Sequence, residues 1–231
     1  KLKRGSTCCT PMTHPLFASA SLALFLSGPL TSAPLAADSL VQTLSPTEEE
    51  SGPPPHHLDN RHNEFGYDVA IRDGLAIVGM PATQGVGRVA VFTRRPEGWV
   101  RTGTLTASDM TSADRFGQAV SFRNGLVVVG SRPAAYVFRQ VRGAWREQQK
   151  IVPPTSDGIT AFALDIAHQD GVLAIGAVAQ GGRGYMYVYE QRPDGKFRRR
   201  ARLTPRDASG AWFGSSIGMS NQLIVTGSAG A

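Results

Sequence analysis

From Val69 onward the apolar residues fall in short runs rather than at helical spacing. Val69, Ala70 and Ile71 are followed by Asp73 and Gly74, then by Leu75, Ala76, Ile77, Val78 and Gly79. Two such runs divided by Asp-Gly predict a hairpin on a type I′ turn, because that turn requires φ > 0 at both central residues. A third run, Arg88 to Phe92, follows a connection at Gly85 to Gly87. A fourth, Trp99 to Thr106, follows the turn Arg95-Pro96-Glu97-Gly98. The predicted unit is a four-stranded antiparallel sheet, opened by Phe65 and Gly66.

The same arrangement returns three times. Phe116 and Gly117 precede Ala119 to Ser121, the turn Asn124-Gly125 and the run Leu126 to Gly130. Phe162 and Ala163 precede Asp165 to Ala167, Asp170-Gly171 and Val172 to Gly176. Phe213 and Gly214 precede a turn at Asn221 and Gln222 and the run Leu223 to Gly227. From phenylalanine to phenylalanine the steps are 51, 46 and 51 residues. That period, with four β runs in each, points to propeller blades and away from helical solenoids. The expected fold is an all-β propeller of four-stranded antiparallel blades, seen as an incomplete arc. Its repeats span 65–115, 116–161, 162–212 and a truncated 213–231. Since propellers use roughly four to eight blades, an arc of about three and a half is expected to be part of a longer protein. Self-association of open arcs is the rival, open only if the arc is not a truncation.

These motifs resemble the FG-GAP repeats of the integrin α-subunit type, named for Phe-Gly at the start of a blade and Gly-Ala-Pro after its second strand. The Gly-Ala-Pro positions read Gly79-Met80-Pro81, Gly130-Ser131-Arg132-Pro133, Gly176-Ala177-Val178 and Gly227-Ser228-Ala229. The resemblance covers roughly residues 65 to 231 and implies a propeller used for extracellular recognition. The structural repeat positions are Phe65, Gly66, Gly74, Gly79, Pro81, Phe116, Gly117, Gly125, Gly130, Phe162, Gly171, Gly176, Phe213, Gly214 and Gly227. Many blades of that family carry an Asp-x-Asp-x-Asp-Gly loop between the first two strands. Here the loops have shrunk to Arg72-Asp73-Gly74, Arg123-Asn124-Gly125, Gln169-Asp170-Gly171 and Ser220-Asn221-Gln222. One carboxylate per turn cannot supply the six to eight oxygens that Ca²⁺ takes. No metal site and no cofactor are expected. Gly181, in a connection of variable length, is expected to tolerate substitution better than the turn glycines.

Residues 1–37 read as a signal peptide. Lys1, Lys3 and Arg4 precede an apolar stretch from Leu16 to Leu30, and the small residues Ala33 to Ala37 suit cleavage before Asp38. The stretch is too short and interrupted for a stable membrane span. An N-terminal anchor is the alternative. Both cysteines, Cys8 and Cys9, lie in the removed segment, so the blades are expected to hold together without disulfides. Removal lowers the formal net charge from +6 to +3, because Lys1, Lys3 and Arg4 go with it. That leaves a weak case for a polyanionic partner and none for nucleic acid. Residues 38–64 combine a candidate closing strand with a Pro-rich linker. Leu40 to Pro46 looks like the end of a blade, as in Lys150-Ile151-Val152-Pro153.

Several patterns mimic chemistry. Gly214-Ser215-Ser216-Ile217-Gly218 matches the nucleophile elbow of hydrolases but falls on the first strand of a blade, with every histidine upstream. Gly85-Val86-Gly87 leads into a strand, so it is a turn and not a dinucleotide fingerprint. His56, His57, Asp59, His62 and Glu64 sit in the linker, which fixes no ligand geometry. Arg198, Arg199, Arg200 and Arg202 form the one basic run, expected on an outermost strand where charge discourages edge pairing. No catalytic residue is expected. The reading is a non-enzymatic recognition module, secreted or held in the periplasm or at the cell surface, with an unknown protein or glycan as partner. The alternative is the propeller part of a secreted hydrolase or lyase whose active site lies further along the chain.

Overall fold

The computed structural model describes residues 22–25, 40–47, 64–82, 86–111, 114–206, 211–220 and 222–229. Sixteen strands lie among them. β1 (Leu22–Phe25), within the expected signal segment, pairs antiparallel with β2 (Leu40–Leu44). The first blade is β3 (Val69–Arg72), β4 (Leu75–Met80), β5 (Arg88–Arg95) and β6 (Gly98–Leu105). The second is β7 (Ala119–Arg123), β8 (Leu126–Gly130), β9 (Ala135–Val141) and β10 (Ala144–Ile151). The third is β11 (Ile159–Gln169), β12 (Val172–Ala179), β13 (Gly184–Gln191) and β14 (Phe197–Leu203), and a final hairpin joins β15 (Phe213–Met219) to β16 (Ile224–Ser228). Each four-stranded sheet is antiparallel in sequence order, and the last hairpin makes no strand pairing with the first blade. The nearly all-β architecture is that of successive propeller blades.

The predicted hairpin turns are present. Asp73 and Gly74 have φ of 50° and 71°, Asn124 and Gly125 51° and 71°, and Asp170 and Gly171 50° and 78°. These are the paired positive values a type I′ turn requires, and only glycine adopts the second without cost. The turn between β9 and β10 uses the same geometry at Arg142 and Gly143, φ 52° and 81°, where the sequence offered no Asp or Asn. Gly181 departs from expectation: its φ is 78°, so it too holds a left-handed conformation and is no permissive site.

Every fourth strand carries a bulge against the third. The register slips between Arg101 and Gly103, between Glu147 and Gln149, and between Arg199 and Ala201. Thr102, Gln148 and Arg200 are therefore the extra residues, one per blade at the same place. A bulge increases the local twist of an outer strand and blunts its free edge. It also breaks the basic run apart: Arg200 lies 3.5 Å from Glu190, while Arg202 reaches Asp157 at 2.5 Å.

The core lies between sheets. Ile77, Val89, Val91 and Leu105 of the first blade meet Phe116, Val120, Val127, Val129 and Tyr136 of the second. Leu126, Val128, Val137 and Ile151 of the second meet Phe162, Ile166, Leu173, Ile175 and Tyr187 of the third. The middle strands β4, β8 and β12 are buried on both faces, which explains their unbroken apolar sequences.

β2 stands beside the first blade as β10 stands beside the third. Gln149 of β10 donates to the Phe197 carbonyl at 2.8 Å and accepts from the Phe197 amide at 2.7 Å. Gln42 of β2 donates to the Trp99 carbonyl at 2.9 Å and accepts from the Trp99 amide at 2.7 Å. Leu44 then enters the cluster of Phe65, Val78, Met80 and Phe92, as Leu105 enters the cluster between the first and second blades and Ile151 that between the second and third. Leu40–Leu44 thus occupies the place of an outermost strand in a preceding blade.

Candidate functional site

The antiparallel order divides the arc into two ends. The turns between first and second and between third and fourth strands lie at one end. The longer connections lie at the other, here called the loop face. The named phenylalanines and the glycines beside them and at the ends of the second strands gather near the loop face, where one blade meets the next, while Gly74, Gly125 and Gly171 sit in the turns at the other end.

Within a blade, the Gly66 amide donates to the Gly79 carbonyl at 3.1 Å and the Gly117 amide to the Gly130 carbonyl at 2.9 Å. Between blades the approach is closer still. A methyl group placed on Gly79 would collide with the Gly117 carbonyl, and one on Gly176 with the Gly214 carbonyl. Gly66, Gly117 and Gly214 have φ of 83°, 96° and 91°, which side chains rarely adopt. In the third repeat Ala163 takes the glycine's place with φ 52°. Its methyl is accommodated because Gly130 opposite has none; a Cβ there would lie 2.9 Å from that of Ala163. Phe65, Phe116 and Phe162 are buried beside these contacts. Phe116 packs edge-on against Tyr136, and Phe162 against Tyr187. Phe213 is half-buried and Pro81 buried. Gly227 faces Ser216, whose hydroxyl a methyl would meet. The repeat motif therefore makes a sheet-to-sheet joint and supplies no reactive group.

Polar side chains stitch the same joints. Asp68 accepts from the Val69 amide at 2.8 Å and from the Val120 amide of the next blade at 2.6 Å. Burial pushes its carboxyl up, against the pull of those two hydrogen bonds. Asp165 repeats the arrangement with the Ile166 and Ile217 amides at 2.7 and 2.5 Å. The second blade has Ala119 at this position and uses Gln118, which donates to the Phe162 and Ala163 carbonyls at 2.8 and 3.1 Å. His168 bridges the second and third blades. Its Nε2 donates to the Arg123 carbonyl at 3.1 Å, so Nδ1, 3.2 Å from the Ser121 hydroxyl, is the acceptor of the neutral ring. Burial lowers its pKa to about 4.

On the loop face two equivalent clusters tie a connection to the following blade. Asp109, after β6, accepts from the Tyr136 hydroxyl at 2.9 Å and pairs with Lys150 at 2.6 Å. Asp157, after β10, accepts from the Tyr187 hydroxyl at 2.6 Å and pairs with Arg202, whose guanidinium lies 4.9 Å from the centre of the Tyr185 ring. Burial first, then the Asp109 hydrogen bond, pushes the Tyr136 hydroxyl up to about 12. Tyr187 is raised further for the same reasons, with Asp157 as its partner. Glu64 pairs with Arg115 at 2.7 Å, and Arg115 also covers the Tyr67 ring. Tyr67 and Trp212 are left 56% and 46% exposed on this face. Sequence reasoning missed these clusters, because the aspartates stand four residues after Leu105 and six after Ile151, in connections that share no spacing.

The mimics are placed as follows. Ser216 is a residue of β15 paired with Gly227. Gly87 forms a bridge to Phe116 and leads into β5. His56, His57, Asp59, His62, Gly85, Cys8 and Cys9 lie outside the described residues, as does Asn221. Among the described residues no group of three or more His, Cys, Asp or Glu comes together, and no helix is long and apolar enough to cross a membrane.

No curated protein matches this chain. A family model does: it spans residues 99–138, from the fourth strand of the first blade to the third strand of the second, across the joint of Phe116, Gly117 and Gly130. That model is the FG-GAP repeat, and the match covers this one segment, with blade geometry around it.

Proposed function

We propose that the chain is a recognition module of propeller type that works outside the cytoplasm and holds a protein or glycan on its loop face without transforming it. One observation carries this reading. Strands, turns and joints repeat in register, while the connections at 106–118, 152–158 and 180–183 differ in length and chemistry and all lie at one end of the sheets. Sites grafted on a common scaffold are expected to vary in this way. Tyr67 and Trp212 support it, since half-exposed aromatics on rigid backbone suit sugar rings or peptide side chains. Export rests on residues 1–37 read as a signal peptide.

The test is a panel of glycans and extracellular proteins probed with the purified chain, alongside Tyr67→Ala and Trp212→Ala. A partner retained by the parent and weakened by either substitution supports the reading. Binding indifferent to both removes the loop face from it. Release of a cleaved product from the bound partner would refute the non-enzymatic part.

A further inference from the structure

The named cations of the loop face are paired; at the turn end Arg72 lies 3.8 Å from Asp73 and Arg198 stands across the ladder from Glu190, but most of the arginines there have no such partner among the described residues. On the loop face Arg115, Lys150 and Arg202 each pair with a carboxylate. At the turn end each third-to-fourth hairpin carries two exposed arginines: Arg94 and Arg95, Arg139 and Arg142, Arg192 and Arg198. Among the described residues none of these six forms an ion pair. In the second blade the crowding is unfavourable, because Arg139 stands directly across the ladder from Arg146. Like charges directly opposite destabilise a sheet, and among the described residues neither arginine pairs with a carboxylate.

We propose that this turn face binds an acidic polysaccharide, a linear chain bearing carboxylate or sulfate groups. The inference rests on the recognition reading above and adds a second face to it. The guanidinium forks suit bidentate pairing with such oxyanions. They recur once per blade, on the hairpin between its third and fourth strands. Single-stranded nucleic acid would call for aromatic platforms beside the charges. The aromatics of these hairpins are turned inward instead: Trp99 packs on the cluster of the first blade, Trp145 on Phe122, and Phe197 is buried. An anionic membrane would call for apolar side chains that insert between headgroups. Of the residues beside these hairpin turns Val100 and Val141 are the exposed large aliphatics, one on the first blade and one on the second, too few and too dispersed for such an insertion.

The experiment uses the full chain on immobilised heparin and polygalacturonate, as sulfated and carboxylated probes, over a range of salt. Retention is expected at about 0.15 M, with affinity falling linearly in log–log against salt. The triple variant R95E/R139E/R192E should bind at least about tenfold more weakly with a shallower salt slope, while R132E/R183E/R206E, equal in charge change but on the loop face, should stay near the parent. R95Q/R139Q/R192Q, with circular dichroism and melting matched to the parent, repeats the comparison should the first variant fold poorly. Equal losses at both faces, no retention of the parent at about 0.15 M salt, or tighter binding to a single-stranded oligonucleotide or to phosphatidylserine vesicles would overturn the proposal. A glycan or protein partner that still binds through Tyr67 and Trp212 in that event leaves the loop-face reading standing.

Discussion

Replacing Gly79 by alanine separates the two roles that glycine plays in this fold, with Gly125→Ala as its control. Gly125 has φ 71° and open space around it, so a methyl there meets no atom within 4 Å. The cost is left-handed strain of about 1–2 kcal/mol, offset by about 0.5–1 kcal/mol of entropy that glycine loses on folding, for a net near 1 kcal/mol. Gly79 carries no such strain. Its methyl would collide with the Gly117 carbonyl oxygen and lie 3.1 Å from the carbonyl carbon, both backbone atoms of the next blade. Relief requires the first two sheets to part. Overpacking of this kind costs about 1–3 kcal/mol, and parting also lengthens the 2.6 Å hydrogen bond from the Val120 amide to Asp68, a charged type worth about 1.5–3 kcal/mol. Gly79→Ala should therefore destabilise by roughly 3–4 kcal/mol. Urea unfolding followed by circular dichroism measures both. Losses equal within about 0.5 kcal/mol, near the usual scatter of mutational effects, would mean that the joint yields freely and that the motif glycines are not there for close approach.

His168 makes stability depend on pH. Its folded pKa of about 4 lies below the ordinary value of 6.5, so the unfolded chain binds the proton more readily. The contribution is complete above pH 6.5 and is lost progressively towards pH 4, up to about 3 kcal/mol; His168→Gln should flatten that window in urea midpoints taken from pH 7 to 4. Tyr189 is buried with its hydroxyl unpartnered, so Tyr189→Phe should be neutral or stabilise by up to about 1 kcal/mol. Tyr187→Phe, which removes one of the two partners of Asp157 and leaves it Arg202, should cost about 0.5–1.5 kcal/mol in the same melts. Chelation by EDTA should leave the melting temperature unchanged, since only a ligand of the native state stabilises it; a drop of several degrees would contradict the single-carboxylate turns.

The strands and their turns were legible because both are local. Asp73-Gly74 or Asn124-Gly125 between β-branched runs specifies a backbone conformation through its own sterics, and the three-residue spacing around each turn fixes the hairpin. The bulges at Thr102, Gln148 and Arg200 were not legible, because an extra residue in an outer strand leaves no mark on a sequence read one strand at a time. The joints escaped for a related reason. Asp68 finds its amide at Val120, Gln149 at Phe197 and His168 its carbonyl at Arg123, partners 45 to 52 residues away. Gly181 was misjudged from loop length alone, which says nothing about φ.

The joints have a consequence for how such chains can grow. The atoms that meet between consecutive sheets at Gly79 and Gly117, or at Gly176 and Gly214, belong to the main chain, so the contact is nearly indifferent to which side chains each sheet presents elsewhere. A unit built this way can be duplicated, deleted or given new loops without redesign of its neighbours. Its energetics approach those of a one-dimensional array, in which each member has an intrinsic stability and a coupling to the next. The couplings then set how far unfolding spreads from either end, and a single methyl at one joint acts as a break in the array.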